Sequence, residues 1–211
     1  MRAVLADLAV ESEAATALML RLARAYDLRE AEAPFRRIAT AVAKFWVCKR
    51  AAPHVAEALE CLGGNGYVEE SGLPRLYREA PLASIWEGSG NVAALDAVRA
   101  LTRQPESAEA FFAELDQAAG ADSRLDQAVA RLRKEITDPA EDRARHLAEA
   151  LALTLQGALL VRYGEPAVAD AFTASRLADG GGPGAWGHAF GTLPSGADTA
   201  AIVGRATPRP R

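Results

Sequence analysis

The first 62 residues contain no glycine, the residue that turns at positive φ without steric cost. Long unbroken apolar runs are missing as well. Arg2, Asp7, Glu11 and Glu13 interrupt the N-terminal segment, which excludes a stretch apolar enough for a signal peptide or a membrane span and leaves a cytoplasmic protein as the default expectation. Neither sign of charge dominates: 24 Lys plus Arg stand against 28 Asp plus Glu, a formal charge of −4, so there is no bulk attraction to nucleic acid or anionic lipid. Cysteine is scarce. Cys48 and Cys61 fall in one helical pattern, which would hold them roughly 20 Å apart, beyond the reach of a disulfide; both read as small buried hydrophobes. His54, His146 and His188 show no metal-ligand spacing, and no metal site is expected. No segment alternates apolar and polar residues with the β-branched density of a strand, which points to an all-α fold.

What the chain does have is helical periodicity and apolar mass. Half of its 211 residues are hydrophobic, enough for a sizeable core. Leu5, Leu8, Ala15, Met19 and Leu22 predict a helix over roughly residues 3–25 with Glu11 and Arg21 away from its apolar stripe. A second helix of about seven turns follows from Phe35, Ile38, Val42, Phe45, Ala52, Ala56, Leu59 and Leu62, bent at Pro53 and stopped by Gly63-Gly64. The simplest packing of the two is antiparallel. Further helices are marked by Val92, Leu95, Val98 and Leu101, by Phe111, Phe112 and Leu115, and by Leu125, Val129, Leu132 and Ile136. The next has Asp138-Pro139 as its start and Leu147, Leu151, Leu155 and Leu159 on its face; the last carries Val168, Phe172 and Leu177. From residue 179 the composition turns to glycine and proline and predicts a mobile or loosely draped tail, with Trp186 and Phe190 as possible anchors to the bundle.

Between the second and third helices lies GGNGYVEESGLPRLYREAPLASIWEGSGN, residues 63–91, with six glycines in a chain whose preceding 62 residues have none. Its end, Gly88-Ser89-Gly90-Asn91-Val92-Ala93, matches the glycine pattern of dinucleotide-binding folds. The required second strand is missing, because TRQPESAEAFFAEL downstream is helical. What survives is a helix start: Ser89 is placed to cap it, and its free N–H groups, flanked by glycine, admit a polar or anionic ligand group. Glu87 stands immediately before, next to Ile85 and Trp86. On the residues alone it serves either as a base or as an acceptor for helix-start amides.

Leu62-Gly63-Gly64-Asn65-Gly66-Tyr67 resembles the LGGxGY motif of acyl-CoA dehydrogenases, and Ile85-Trp86-Glu87-Gly88-Ser89-Gly90-Asn91 resembles their [YW]EG[TS] motif. The intervening Pro74-Arg75-Leu76-Tyr77-Arg78-Glu79 and the spacing agree as well. The wording EESGLPRLYRE and SIWEGSGN is similar to that of the alkylation-response, AidB-type branch. The sequence departs from the family at Glu60, where many members have glutamine, and at Trp86, where tyrosine is commoner.

The resemblance implies an acyl-CoA dehydrogenase-like C-terminal helical bundle over residues 1–103, additional AidB-type helices over 104–178 and the tail over 179–211. It implies FAD as cofactor, an acyl-CoA thioester as substrate and a homo-oligomer, with an N-terminal helical domain and a middle β domain elsewhere in a complete protein. By the same resemblance Glu87 is the base that removes the α-proton, and its N–H polarises the thioester carbonyl. Gly88, Ser89 and Asn91 resemble flavin contacts; Gly63, Gly64 and Gly66 resemble the turn at the FAD pyrophosphate of a neighbouring subunit. Arg99 resembles an arginine near the active-site mouth, and reads equally as a solvated helix charge. Two other functions stay open: a DNA-associated alkylation-response domain and a non-catalytic oligomerisation module. For the first, Arg131, Arg133, Lys134, Arg143, Arg145, Arg205, Arg209 and Arg211 are the candidate phosphate contacts, although interleaved acids also suit a solvated face.

Overall fold

The computed structural model describes residues 1–178 and 190–208, and it is helical throughout, with no strand among them. Helix α1 runs Arg2–Asp27 and α2 runs Ala33–Glu60, close to the limits the periodicity predicts. The glycine-rich segment is short helices and turns: α3 Gly64–Tyr67, α4 Leu73–Glu79 and a 3-10 turn Ala80–Ser84. Then come α5 Gly90–Arg103, α6 Pro105–Asp116 and α7 Ser123–Glu135. The bundle is completed by α8 Ala144–Tyr163, α9 Pro166–Arg176 and α10 Thr199–Ala206.

The centre of the bundle is α8, which packs against α1, α2, α5, α6, α7 and α9. It is apolar nearly all round, with 14 of its 20 residues buried, as a helix surrounded by others must be. Gly157 makes this possible, since a Cβ there would come within 2.6 Å of Leu177 Cδ1. The helix starts at Ala144, not at Asp138-Pro139, because a 3-10 turn at Glu141–Arg143 precedes it.

The buried face of α1 is rotated from the expected stripe. Leu5 and Met19 are exposed, whereas Asp7, Glu11 and Arg21 are buried beside Val10, Ala14 and Leu18. Each charge has a partner on another element. Asp7 and Glu11 pair with Arg176 of α9, Glu11 with Arg50 of α2 at 3.1 Å, and Arg21 with Glu114 of α6 at 2.8 Å. Hydrophobicity alone misses such a face, since paired buried charges replace the leucines it looks for. On α2, Phe35, Ile38, Val42 and Phe45 are buried as expected. Ala52, Ala56 and Leu59 are half-buried and Leu62 is exposed, so the C-terminal half of α2 has no full cover in this chain. Cys48 and Cys61 are free thiols and half-buried, less enclosed than expected.

Within the expected loose tail, residues 190–208 are ordered against the bundle. α10 packs on α1 with Ile202 fully buried, Arg205 bonds Glu13 at 3.0 Å, and the Gly191 N–H donates to Asp7 at 2.9 Å. Phe190 does anchor the segment, edge-on to His54 with centroids 5.9 Å apart. Trp186 and the rest of 179–189 lie outside the described residues.

Candidate active site

Glu87 precedes α5 in the left-handed region, at φ 52°, a conformation that costs a non-glycine residue about 1–3 kcal/mol. Gly88 follows at φ 97°, where glycine alone is unstrained. The restraint comes from α2. Lys44 Nζ donates to the carbonyl oxygens of Ala83 at 2.6 Å and of Trp86 at 2.9 Å, so one ammonium holds the chain on the N-terminal side of Glu87. On the other side Gly90 is buried, and a Cβ there would come within 2.6 Å of Lys49 Cε.

Ser89 occupies the N-cap position of α5, but its hydroxyl makes no capping bond. Among the described residues no acceptor takes the N–H of Glu87 or of Gly88. Ser89 and Asn91 are exposed. Ile85 and Trp86, expected to put apolar surroundings beside Glu87, are exposed too. The result is a helix start with open amides, a carboxylate at its lip and apolar side chains left to solvent.

An open groove of about 680 Å³ runs between α2 and α5, lined by Glu87, Gly88, Asp96 and Arg99 together with Arg37 and Lys44. Arg37 is engaged by Asp96, with two hydrogen bonds of 2.8 Å. Arg99 is exposed on the same groove. The structure therefore brings Glu87, Gly88 and Arg99 together. Lys44 stands in the apolar run AVAKFW, where periodicity marks only the apolar positions; a lysine inside a buried stripe is the one sequence signal for it.

Gly63, Gly64 and Gly66 lie elsewhere, roughly 25 Å from Lys44 along α2 at 1.5 Å per residue. Gly63, at φ 57° and ψ −138°, closes α2 by donating its N–H to Glu60 O at 2.9 Å. Nothing lies within 4 Å of a Cβ placed on Gly63 or Gly64, so this turn presents bare backbone outward. Gly66 differs, because a Cβ there would lie 2.0 Å from the Leu59 carbonyl oxygen.

A model of the acyl-CoA dehydrogenase C-terminal domain family matches residues 1–102. The chain carries an acyl-CoA dehydrogenase C-terminal domain. It is similar to the putative acyl-CoA dehydrogenase AidB of Escherichia coli (strain K12), 45% identical over 184 residues that cover 86% of this chain and 34% of AidB. Acyl-CoA dehydrogenase family member 11 of Caenorhabditis elegans is 32% identical over 182 residues, covering 83% of this chain and 29% of that protein. The crystal structure of Caenorhabditis elegans ACDH-11 in complex with C11-CoA superposes with a TM-score of 0.67 at 30% identity, over 78% of this chain and 32% of that one. This acyl-CoA dehydrogenase domain and its following helices thus span about a third of the length of these relatives. No helix among the described residues is long and apolar enough to cross a membrane.

The basic residues considered for DNA mostly have local partners. Arg133 bonds Asp116 at 2.6 and 2.8 Å, Arg143 lies 3.3 Å from Glu135, Arg131 donates to Leu177 O at 2.7 Å, and Arg145 lies over Phe45. Arg209 and Arg211 lie outside the described residues.

Proposed function

We propose that this chain forms one wall of the flavin site in a larger FAD-dependent oxidoreductase that dehydrogenates an acyl-CoA thioester, with Glu87 as its base. The observation that carries this reading is a carboxylate fixed at a left-handed turn immediately before free helix-start amides, on a groove it shares with Arg99. In the reaction the Cα–H bond breaks and its proton passes to the Glu87 carboxylate. The β-hydrogen leaves with its electron pair and the Cα–Cβ double bond forms. Bound FAD supplies the acceptor for that hydride. Charge builds on the thioester oxygen as the proton departs, and the unpaired Glu87 N–H is a donor for it. Arg99 at the groove would attract an anionic part of the substrate.

This chain's residues suit FAD. Ser89, between Gly88 and Asn91 at the helix start, offers a hydroxyl not used in capping, and Gly63 and Gly64 offer a bare turn to a pyrophosphate, with Gly66 letting that turn pack on Leu59. The two groups stand too far apart along α2 to be adjacent contacts, which favours a homo-oligomer in which the glycine turn serves a neighbouring subunit's cofactor. Glu60, the departure from glutamine, is exposed beside that turn. An N-terminal helical domain and a middle β domain would supply the rest of the flavin site, so the 211 residues alone should bind FAD weakly and show no turnover. The test is Glu87→Gln in a flavoprotein containing this chain. It should retain its flavin yet lose reduction by acyl-CoA; reduction as fast as in the parent would remove Glu87 as the base.

A further inference from the structure

The geometry points to Lys44 as a positioning residue that fixes the Trp86–Glu87 peptide and thereby aims both the Glu87 carboxylate and the Glu87 N–H. The inference rests on the reading of Glu87 as base and adds a residue to that site. Lys44 Nζ contacts two carbonyl oxygens, Ala83 O at 2.6 Å and Trp86 O at 2.9 Å. The second belongs to the same planar unit as the Glu87 N–H, because the carbonyl of one residue and the amide of the next share a peptide. In a trans peptide the two point in opposite directions. An ammonium that pins the Trp86 oxygen therefore sets where the Glu87 hydrogen points.

Three further facts favour a positioning role over a general stabilising contact. First, the pinned peptide leads directly into the strained residue: Glu87 has φ 52° and Gly88 φ 97°. Second, the Glu87 N–H has no acceptor among the described residues, so nothing on its own side orients it. Third, Ile85 and Trp86 are 64% and 59% exposed, so packing does not hold the turn in this chain. Lys44 also acts on the donor's strength. A cation bonded to a carbonyl polarises the peptide and makes its N–H a better donor, as in any cooperative hydrogen-bond chain. A neutral donor at position 44 would orient the unit without that polarisation.

Two readouts test this. Hydrogen exchange on the 211-residue chain should show Ile85 and Trp86, whose N–H groups donate to the Leu82 carbonyl at 2.9 and 3.1 Å, exchanging about tenfold faster or more in Lys44→Met, as expected for loss of the charged hydrogen bonds that hold the turn, while α8 stays protected. In the flavoprotein carrying this chain, K44M should slow flavin reduction by acyl-CoA at saturating substrate by about tenfold or more, with little change in thioester affinity. Lys44→Arg, which keeps the charge and the donors, should recover part of both. Unchanged exchange at Ile85 and Trp86 in K44M overturns the proposal, and so does faster exchange with undiminished flavin reduction while E87Q is inactive. If E87Q itself reduces flavin at the parental rate, the base assignment fails, and the positioning role built on it is overturned whatever the exchange shows. Should K44M fail to fold, the comparison of K44R with Lys44→Ser, whose side chain is too short to reach either carbonyl, gives the same decision, since equal exchange and equal reduction in those two overturn the proposal.

Discussion

Arg21 and Glu114, 93 positions apart in sequence, meet at 2.8 Å with both side chains buried, and their pairing ties α1 to α6. Glu114 also accepts from Arg162 at 2.6 Å, and Arg21 lies 4.1 Å from the Phe35 ring centroid. Burial opposes ionisation of Glu114, but the hydrogen bonds from Arg21 and Arg162 outweigh it and hold the carboxyl below its ordinary range. Arg21 also pairs with Glu32 at 2.6 Å, so Glu114→Leu should leave the buried Arg21 with that one carboxylate and cost about 3–5 kcal/mol in urea unfolding. Arg21→Met added to it should recover part of that loss. Equal stability of parent and single variant would show that the pair does not hold α6.

Acid should be resisted through Asp122. It caps α7 by accepting from the Arg124 and Leu125 N–H groups. The Arg124 guanidinium beside it, with those amides, lowers its carboxyl to about 2 despite burial. A depressed carboxyl stabilises the fold above its unfolded value of about 3.9, and that contribution fades as pH falls toward the folded value. Asp122→Ala should therefore cost about 1–2 kcal/mol at neutral pH. The gap to the parent should close between about pH 4 and pH 2, as read from thermal melts across that range; a gap independent of pH would contradict the linkage.

The three glycines of the first turn should differ sharply. Gly66→Ala drives a methyl into the Leu59 carbonyl and should destabilise by more than about 1 kcal/mol, while Gly64→Ala, with open space and ordinary φ, should stay within about 0.5 kcal/mol of the parent. Gly63→Ala is strained by its φ of 57° even though its surroundings are open. Chemical denaturation of the three variants gives the ranking, and a costly Gly64→Ala beside a harmless Gly66→Ala would invert it.

Exposed apolar side chains concentrate between Leu62 and Val92, with Tyr67 at 78% and Ile85 at 64%. Such a patch favours association. Light scattering over a concentration series should give a mass above the 22.3 kDa of one chain, falling toward it in Tyr67→Glu/Leu76→Glu. A strictly monomeric parent at high concentration would leave the patch without a self-partner.

Periodicity made the long helices legible because each buries a stripe, and the α2 stripe from Phe35 to Phe45 is where the sequence places it. It failed on α1, where Asp7, Glu11 and Arg21 are inside, because partners on α2, α6 and α9 cannot be read from a local window. Glycine content concealed α10. Asp198, whose side chain accepts from the Ala201 N–H at 2.9 Å, and the buried Ile202 were visible as a cap before an apolar residue. At the candidate site, the resemblance points to Glu87, Gly88 and Arg99, and all three line one groove. The hold of Lys44 on the Ala83 and Trp86 carbonyls was illegible, since it joins side chain to backbone across about 40 positions.

The recognisable family segment ends at residue 102, yet α8, which begins at Ala144, lies against α1, α2 and α5 in one continuous core. The stretch that the family model describes is therefore shorter than the stretch that shares one core. Cut at residue 102, the shorter piece would open to water the faces of α1, α2 and α5 that α8 now covers, so a gene fusion or excision made at that boundary would transplant the helix that follows Glu87 without the keel that keeps it upright.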